Sequence, residues 1–230
     1  MAKQNVKNEG DERLESIETT LSNTELFIIN NQKTIIIVLS VLIIAVLAFF
    51  GVKKYYFEPR EEEAQSAIYH AEQYFEKDNY NTALNGDGNY LGFLNVIDEY
   101  GGTKTANLAK YYAGICYLNT GDYNQAINYL KSFKGKDVIV ASLALGAMAD
   151  AYMELDKVAD AATYYEKAAT KSANSLTSPM YMLRAGMAYE MLGNYQKAID
   201  LYKKIKVDYP TSNEAFSIEK NIARAQAEMK

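Results

Sequence analysis

Few side chains in this 230-residue chain have the types and spacing that catalysis or ligation needs. There is one histidine, His70, and one cysteine, Cys116. No second imidazole or thiolate exists to share a soft metal, and no internal disulfide can form. His70 falls on the core face of a helical pattern and is expected to be a packed, hydrogen-bonded histidine, not a ligand. Cys116 stands where a small residue recurs, so it is expected to be buried and inert. Asn85-Gly86-Asp87-Gly88-Asn89 places oxygen-bearing side chains at alternate positions, as a calcium loop does. The glycine such a loop requires is Tyr90 here and its distal glutamate is Val96, so the segment reads as a turn interrupting a helix. Gly86-Asp87-Gly88 lacks the lysine and helix start of a phosphate loop. Glu61-Glu62-Glu63 suits the solvated first turn of a helix better than an acid/base pair. No enzyme, cofactor, metal or small-molecule substrate is expected. The formal net charge of −5 is spread along the chain, so no basic face and no nucleic-acid partner is expected either.

The elements that carry these residues repeat. Gly114 is followed by Tyr117, Gly121, Asp122, Tyr123, Ala126 and Leu130, and Gly186 by Tyr189, Gly193, Asn194, Tyr195, Ala198 and Tyr202. Between them stand Ala149, Tyr152, Asp156, Val158, Ala161 and Tyr165, and before them Ala71, Tyr74, Asp78, Asn79, Tyr80 and Ala83. The leading small residues are 43, 35 and 37 residues apart. The pattern resembles the tetratricopeptide (TPR) repeat, a helix–turn–helix unit of about 34 residues. The position usually held by tryptophan is Ala67, Lys110, Leu145 and Met182 here. The small residue on the first helix (A) lets the second (B) approach closely, and Gly121 and Gly193 suit a left-handed helix end. The 20 tyrosines are expected as knobs between repeats, their hydroxyls reaching water or backbone. The first copy carries about nine extra residues after Ala83, with the helix resuming near Leu91 and ending at Gly101-Gly102. Thr211-Ser212-Asn213-Glu214 opens a largely polar final helix that caps the stack.

Ahead of the repeats lies Thr34–Val52, 19 residues without a charge. As a helix it spans about 28 Å, the thickness of a bilayer core. Lys33 bounds it on one side and Lys53, Lys54, Tyr55 and Tyr56 on the other, which fits the two headgroup zones. Val46 and Ala48 make a small-x-small cleavage pair, but the run is long for a signal core and follows a net-acidic region, so an uncleaved anchor is expected. Residues 1–33 form a polar head. Leu14, Ile17 and Leu21 recur at helical spacing, and Ser22-Asn23-Thr24-Glu25 is a capping box opening a short helix with Leu26, Phe27, Ile28 and Ile29. The head reads either as interfacial amphipathic helices or as a frayed leader. The expected architecture is all-α: head 1–33, transmembrane helix 34–52, juxtamembrane linker 53–61, and a TPR domain over 62–230 with about four repeats and a capping helix. The resemblance implies a right-handed solenoid.

The inner face of such a stack comes mainly from the A helices. It is expected to present Leu108, Tyr111, Ile115 and Leu118 in the second copy. The third contributes Met153, with Leu143 and Asp150, and the fourth Met180, Leu183, Met187 and Met191. Flexible thioethers suit varied apolar partners, so this face reads either as a groove for an apolar helix or extended peptide, or as packing against neighbouring repeats. Some TPR proteins clamp a terminal carboxylate with lysines and asparagines here. The matching positions, Glu72, Ile115, Asp150 and Met187, do not supply them.

The whole arrangement, with SNTELFIINNQKTIIIV, Lys53-Lys54-Tyr55-Tyr56 and Glu58-Pro59, is similar to the YfgM-like ancillary subunits of the bacterial Sec translocon in their Bacteroidetes form. That resemblance implies a cytoplasmic head and a periplasmic TPR body anchored in the inner membrane. It also implies a scaffold that meets translocon subunits, a membrane-anchored periplasmic chaperone or prolyl isomerase, and exported clients. Lys53, Lys54 and Arg60 just after the apolar run, taken strictly, favour a cytoplasmic body, and the resemblance decides the orientation. The alternative function is an envelope assembly or signalling scaffold that sequesters a regulator.

Overall fold

Four turns of the chain share one backbone solution. Asp78, Gly121, Asp156 and Gly193 all have positive φ, between 56° and 85°. The next amide (Asn79, Asp122, Lys157, Asn194) donates five residues back to the carbonyl of Tyr74, Tyr117, Tyr152 or Tyr189, at 2.8–3.0 Å. The left-handed residue itself donates three residues back, at 2.9–3.3 Å. These paired bonds satisfy the last carbonyls of a helix and stop it. Glycine adopts the conformation freely, and aspartate tolerates it through its short polar side chain. The same stop in four registers is what divides the sequence into helical pairs.

The computed structural model describes residues 25–171 and 173–229. The chain forms two compact units that meet in sequence at Glu58 and Pro59. In the first, residues 25–30 are helical and carry exposed Leu26, Phe27, Ile28 and Ile29. Asn31 interrupts them, its amide and side chain both donating to the Phe27 carbonyl at 3.0 and 2.9 Å. Helix α1 then runs Gln32–Val52 with no buried residue, and it is long and apolar enough to cross a membrane. The patterns expected in residues 1–24, including Leu14, Ile17, Leu21 and the start of the capping box, lie outside the described residues.

Residues 53–61, expected as a linker, are helical instead. Lys53–Phe57 is a wide π-helical turn in which Glu58 donates to the Lys53 carbonyl. Pro59 follows at once and has no amide to give, so the shift in hydrogen-bond ladder falls where a regular one would be broken.

The second unit holds α2 (Glu58–Glu76), α3 (Tyr80–Asn85), α4 (Phe93–Glu99), α5 (Lys104–Asn119) and α6 (Tyr123–Ser132). It continues with α7 (Val138–Glu154), α8 (Val158–Lys171), α9 (Ser178–Met191), α10 (Tyr195–Asp208) and α11 (Asn213–Glu228). Thr103, Asp122, Asp137, Asn194 and Ser212 cap α5, α6, α7, α10 and α11 with side-chain oxygens, each accepting an otherwise orphaned amide. The last cap is Ser212, one residue beyond the Thr211 expected. From α4 onward each helix packs on its neighbour in sequence, and α5 also touches α7 and α9 touches α11. The contacts therefore run along a row, as in a stack of two-helix units. A Cβ on Gly114 would lie 2.5 Å from Leu130 Cγ, and one on Gly186 2.3 Å from Tyr202 Cε1, so only glycine lets these helices close. Their counterparts on the B helices, Ala83, Ala126, Ala161 and Ala198, are fully buried.

The inserted segment does interrupt the first B helix, separating α3 from α4, and the helix resumes at Phe93 rather than Leu91. Asp87 fastens the loop by accepting from the amides of Tyr90 and Asn89 and from the Tyr74 hydroxyl, at 2.8, 2.9 and 2.8 Å. Its acidic side chain thus organises the loop itself. His70 is not the hydrogen-bonded core residue expected. It is half-buried, stacked on Tyr90 at 3.5 Å between ring centroids, and among the described residues its side-chain contacts are aromatic rings. Cys116 is fully buried, and burial pushes its thiol up to about 12.

Candidate protein-binding surface

The residues expected on the inner face divide into three groups. Tyr111, Ile115 and Leu118 pack against a core cluster built on Ala126, Ile127, Leu130 and Met148. Met153, Met180 and Leu183 pack against the next cluster along, which contains Tyr165, Tyr181 and Tyr202. Leu108 is half-buried and lines a groove at the joints between repeats. Met187 and Met191 are 48% and 64% exposed, one turn apart on α9 and followed by exposed Leu192. Six of the nine expected positions are thus partly buried, and Met187 and Met191 are the exposed ones. The A helices α5, α7 and α9 each pack on their own B helix, and the partly buried positions meet these neighbours.

Beside the open methionines stands a feature that hydrophobic spacing did not single out. Arg184 of α9 pairs with Asp150 of α7 at 2.7 Å, and the buried Tyr165 hydroxyl donates to the same carboxylate. Arg224 of α11 grips Glu190 of α9 through Nε and Nη2, at 2.8 and 2.9 Å, and the buried Tyr202 hydroxyl donates there too. Both ion pairs span 34 residues, one repeat length, and both join successive A helices. That signal was present in the sequence as an acid followed by an arginine one period later. On the B-helix side Lys197 reaches Glu166 at 2.5 Å, and Tyr189 donates to Glu166 while accepting from Lys197. The tyrosine hydroxyls thus meet carboxylates, where backbone and water had been expected. Tyr123, Tyr74 and Tyr80 do the same with Glu154, Asp87 and Asp78.

The electrostatics are those of a lock. The Arg224 hydrogen bonds, foremost, hold the Glu190 carboxyl below the ordinary glutamate range against the effect of its burial. Burial first, and then the neighbouring carboxylate, pushes the Tyr165 and Tyr202 phenols upward. Such phenols stay protonated and donate. The arrangement ties helices together and leaves Met187 and Met191 exposed on α9. Among the described residues no group of three or more His, Cys, Asp or Glu side chains could hold a metal ion.

Stacked helical pairs with repeating stops, glycine contacts and cross-repeat ion pairs define a helical-repeat protein. Tetratricopeptide-repeat patterns match residues 108–137, spanning most of α5 and all of α6, and residues 147–213, from within α7 to the first residue of α11. Among solved structures, nearly identical TPR-like repeats of a Podosopora anserina kinesin light chain superpose with a TM-score of 0.54. That match has 14% sequence identity and covers 74% of this chain and 87% of that one, a likeness of fold. No curated protein matches the sequence. A TPR body of this kind is a protein–protein interaction scaffold.

Proposed function

We propose that the chain is a membrane-anchored TPR adaptor. In this reading α1 spans the inner membrane and the repeat body stands on the periplasmic side beside the Sec translocon. There it cooperates with a membrane-anchored chaperone or prolyl isomerase on exported clients. The observation that carries the reading is the pairing, in one chain, of a solvent-exposed apolar helix free of charge from Thr34 to Val52 with a repeat body built to bind proteins. The mechanism is tethering. Confining the body to a plane raises its effective concentration near partners in that membrane, without any new contact. Orientation rests on the resemblance of the whole arrangement to the translocon's ancillary subunits.

A photocrosslinker at Leu42 tests the adaptor. Recovery of channel subunits is the expected result. Crosslinks only to other envelope proteins would replace the adaptor with a scaffold that sequesters a regulator. Protease added to spheroplasts should remove the repeat body while leaving α1, and a fully protected body would reverse the orientation.

A further inference from the structure

Six lysines converge where successive repeats are joined. Segment 133–137, the connection between α6 and α7, separates two depressions. The larger, about 650 Å³, is rimmed by Lys104, Lys110, Lys134 and Lys136. The smaller, about 280 Å³, is rimmed by Lys131, Lys134 and Lys171. Phe133, Lys134 and Gly135 line both, so one short segment forms the shared wall of a double groove. The floors are apolar, with Ile97, Leu108 and Val140 in one and Ala144, Leu145 and Met148 in the other. The dividing wall is pinned by Asn107, which donates to the Lys134 carbonyl at 3.1 Å and accepts from its amide at 2.9 Å.

The charge of this groove opposes that of the chain. Asp137 is the one acid among its lining residues, and its carboxylate is already engaged by the amides of Ile139 and Val140, both at 2.9 Å. Among the described residues none of the six lysines is in an ion pair. The chain as a whole has a net charge of −5. Glu61 accepts from the Lys104 and Thr105 amides at one edge, at 2.6 and 3.1 Å, and six ammonium groups still outnumber the acids around the apolar floors. That excess raises the local potential and favours an anion that also has apolar surface to bury.

We propose that the double groove binds an extended acidic segment of a partner protein. Side chains of an extended segment alternate, so acids one residue apart from apolar neighbours place carboxylates on the lysine rim and apolar groups on the floor. A concave trough fits such a strand better than it fits a flat lipid surface. The inference rests on the scaffold reading of the repeats and names the chemistry of one partner. It uses a surface separate from Met187 and does not depend on the translocon.

The test uses the full chain in nanodiscs of neutral lipid and a fluorescent peptide of about twelve residues alternating glutamate with leucine or phenylalanine. Binding read by anisotropy should weaken steadily from about 50 to about 300 mM salt. It should fall about tenfold or more in Lys110→Glu/Lys134→Glu, and about threefold or more in the milder Lys104→Gln/Lys136→Gln, with helical circular dichroism retained. Met187→Glu should leave it unchanged. Equal binding of the glutamine-substituted peptide, indifference to both sets of lysine changes, or capture by phosphatidylglycerol vesicles in place of the peptide would each overturn the proposal. Peptide binding without translocon crosslinks would sink the adaptor and leave the groove standing.

Discussion

At Glu190 one carboxylate serves three helices: its own, α10 through Tyr202, and α11 through Arg224. The Glu190 side chain is only 12% exposed, so removing the guanidinium strands a charge with a single phenol to meet it. Arg224→Met should cost about 1–2 kcal/mol, read as a lower urea midpoint at neutral pH. The pH dependence has a definite sign. Glu190 titrates lower in the folded chain than in the unfolded one, so its contribution is complete above the ordinary glutamate range. That contribution fades as pH falls through this range, near 4, and below it. Urea midpoints of the parent and Arg224→Met should therefore converge on acidification. A constant gap between pH 7 and the acid limit would rule out the ionic origin. The components of this cluster were visible as residue types, but nothing local says that a tyrosine on one helix and an arginine on another share an acid.

At the scale of the helical pair, the left-handed stops and the glycine contacts do the dividing and the closing. Asp156 has φ 58°, and no side-chain bond holds it there among the described residues, whereas Asp78 accepts from Tyr80 at 2.6 Å. Asp156→Gly should therefore stabilise the chain by about 0.5 kcal/mol, where glycine's freedom at positive φ outweighs its extra unfolded-state entropy. A lowered thermal midpoint would show that the aspartate makes a contribution of its own. Gly186→Ala tests the contact. Its Cβ would press on a fully buried Tyr202 ring that has nowhere to retreat, and a loss of about 1–3 kcal/mol is expected. The helical pairs were legible from spacing because these stops and small residues are local requirements. The inserted segment was legible as a turn, but the stacking of His70 on Tyr90 was not, since it depends on how Asp87 folds the loop back.

For the whole molecule the decisive element is α1. None of its residues is buried, and no charge stands between Lys33 and Lys53. Under the proposed anchor, Ile43→Arg/Ile44→Arg should move the chain from the membrane to the soluble fraction on cell fractionation, since each arginine at mid-span would cost about 2.5–3.5 kcal/mol on insertion. Unchanged sedimentation with membranes would remove the anchor from the account. The repeat body should keep its far-ultraviolet circular dichroism in that variant, because its core lies wholly within the second compact unit.

By itself the sequence determined the helical class, the period of the repeats, the close A–B contacts and the length of the apolar helix. Each of these is set by residues near one another along the chain, where spacing and side-chain size act directly. Only the tertiary structure decided which inward-facing residues remain open and which are consumed by packing. Of nine candidates it exposes Met187 and Met191, partly covers six, and places Leu108 at the joint between repeats. It alone brought together lysines spread from Lys104 to Lys171. Their convergence follows from how successive helical pairs stack, and stacking is a property of surfaces meeting in space that no periodicity in the chain encodes.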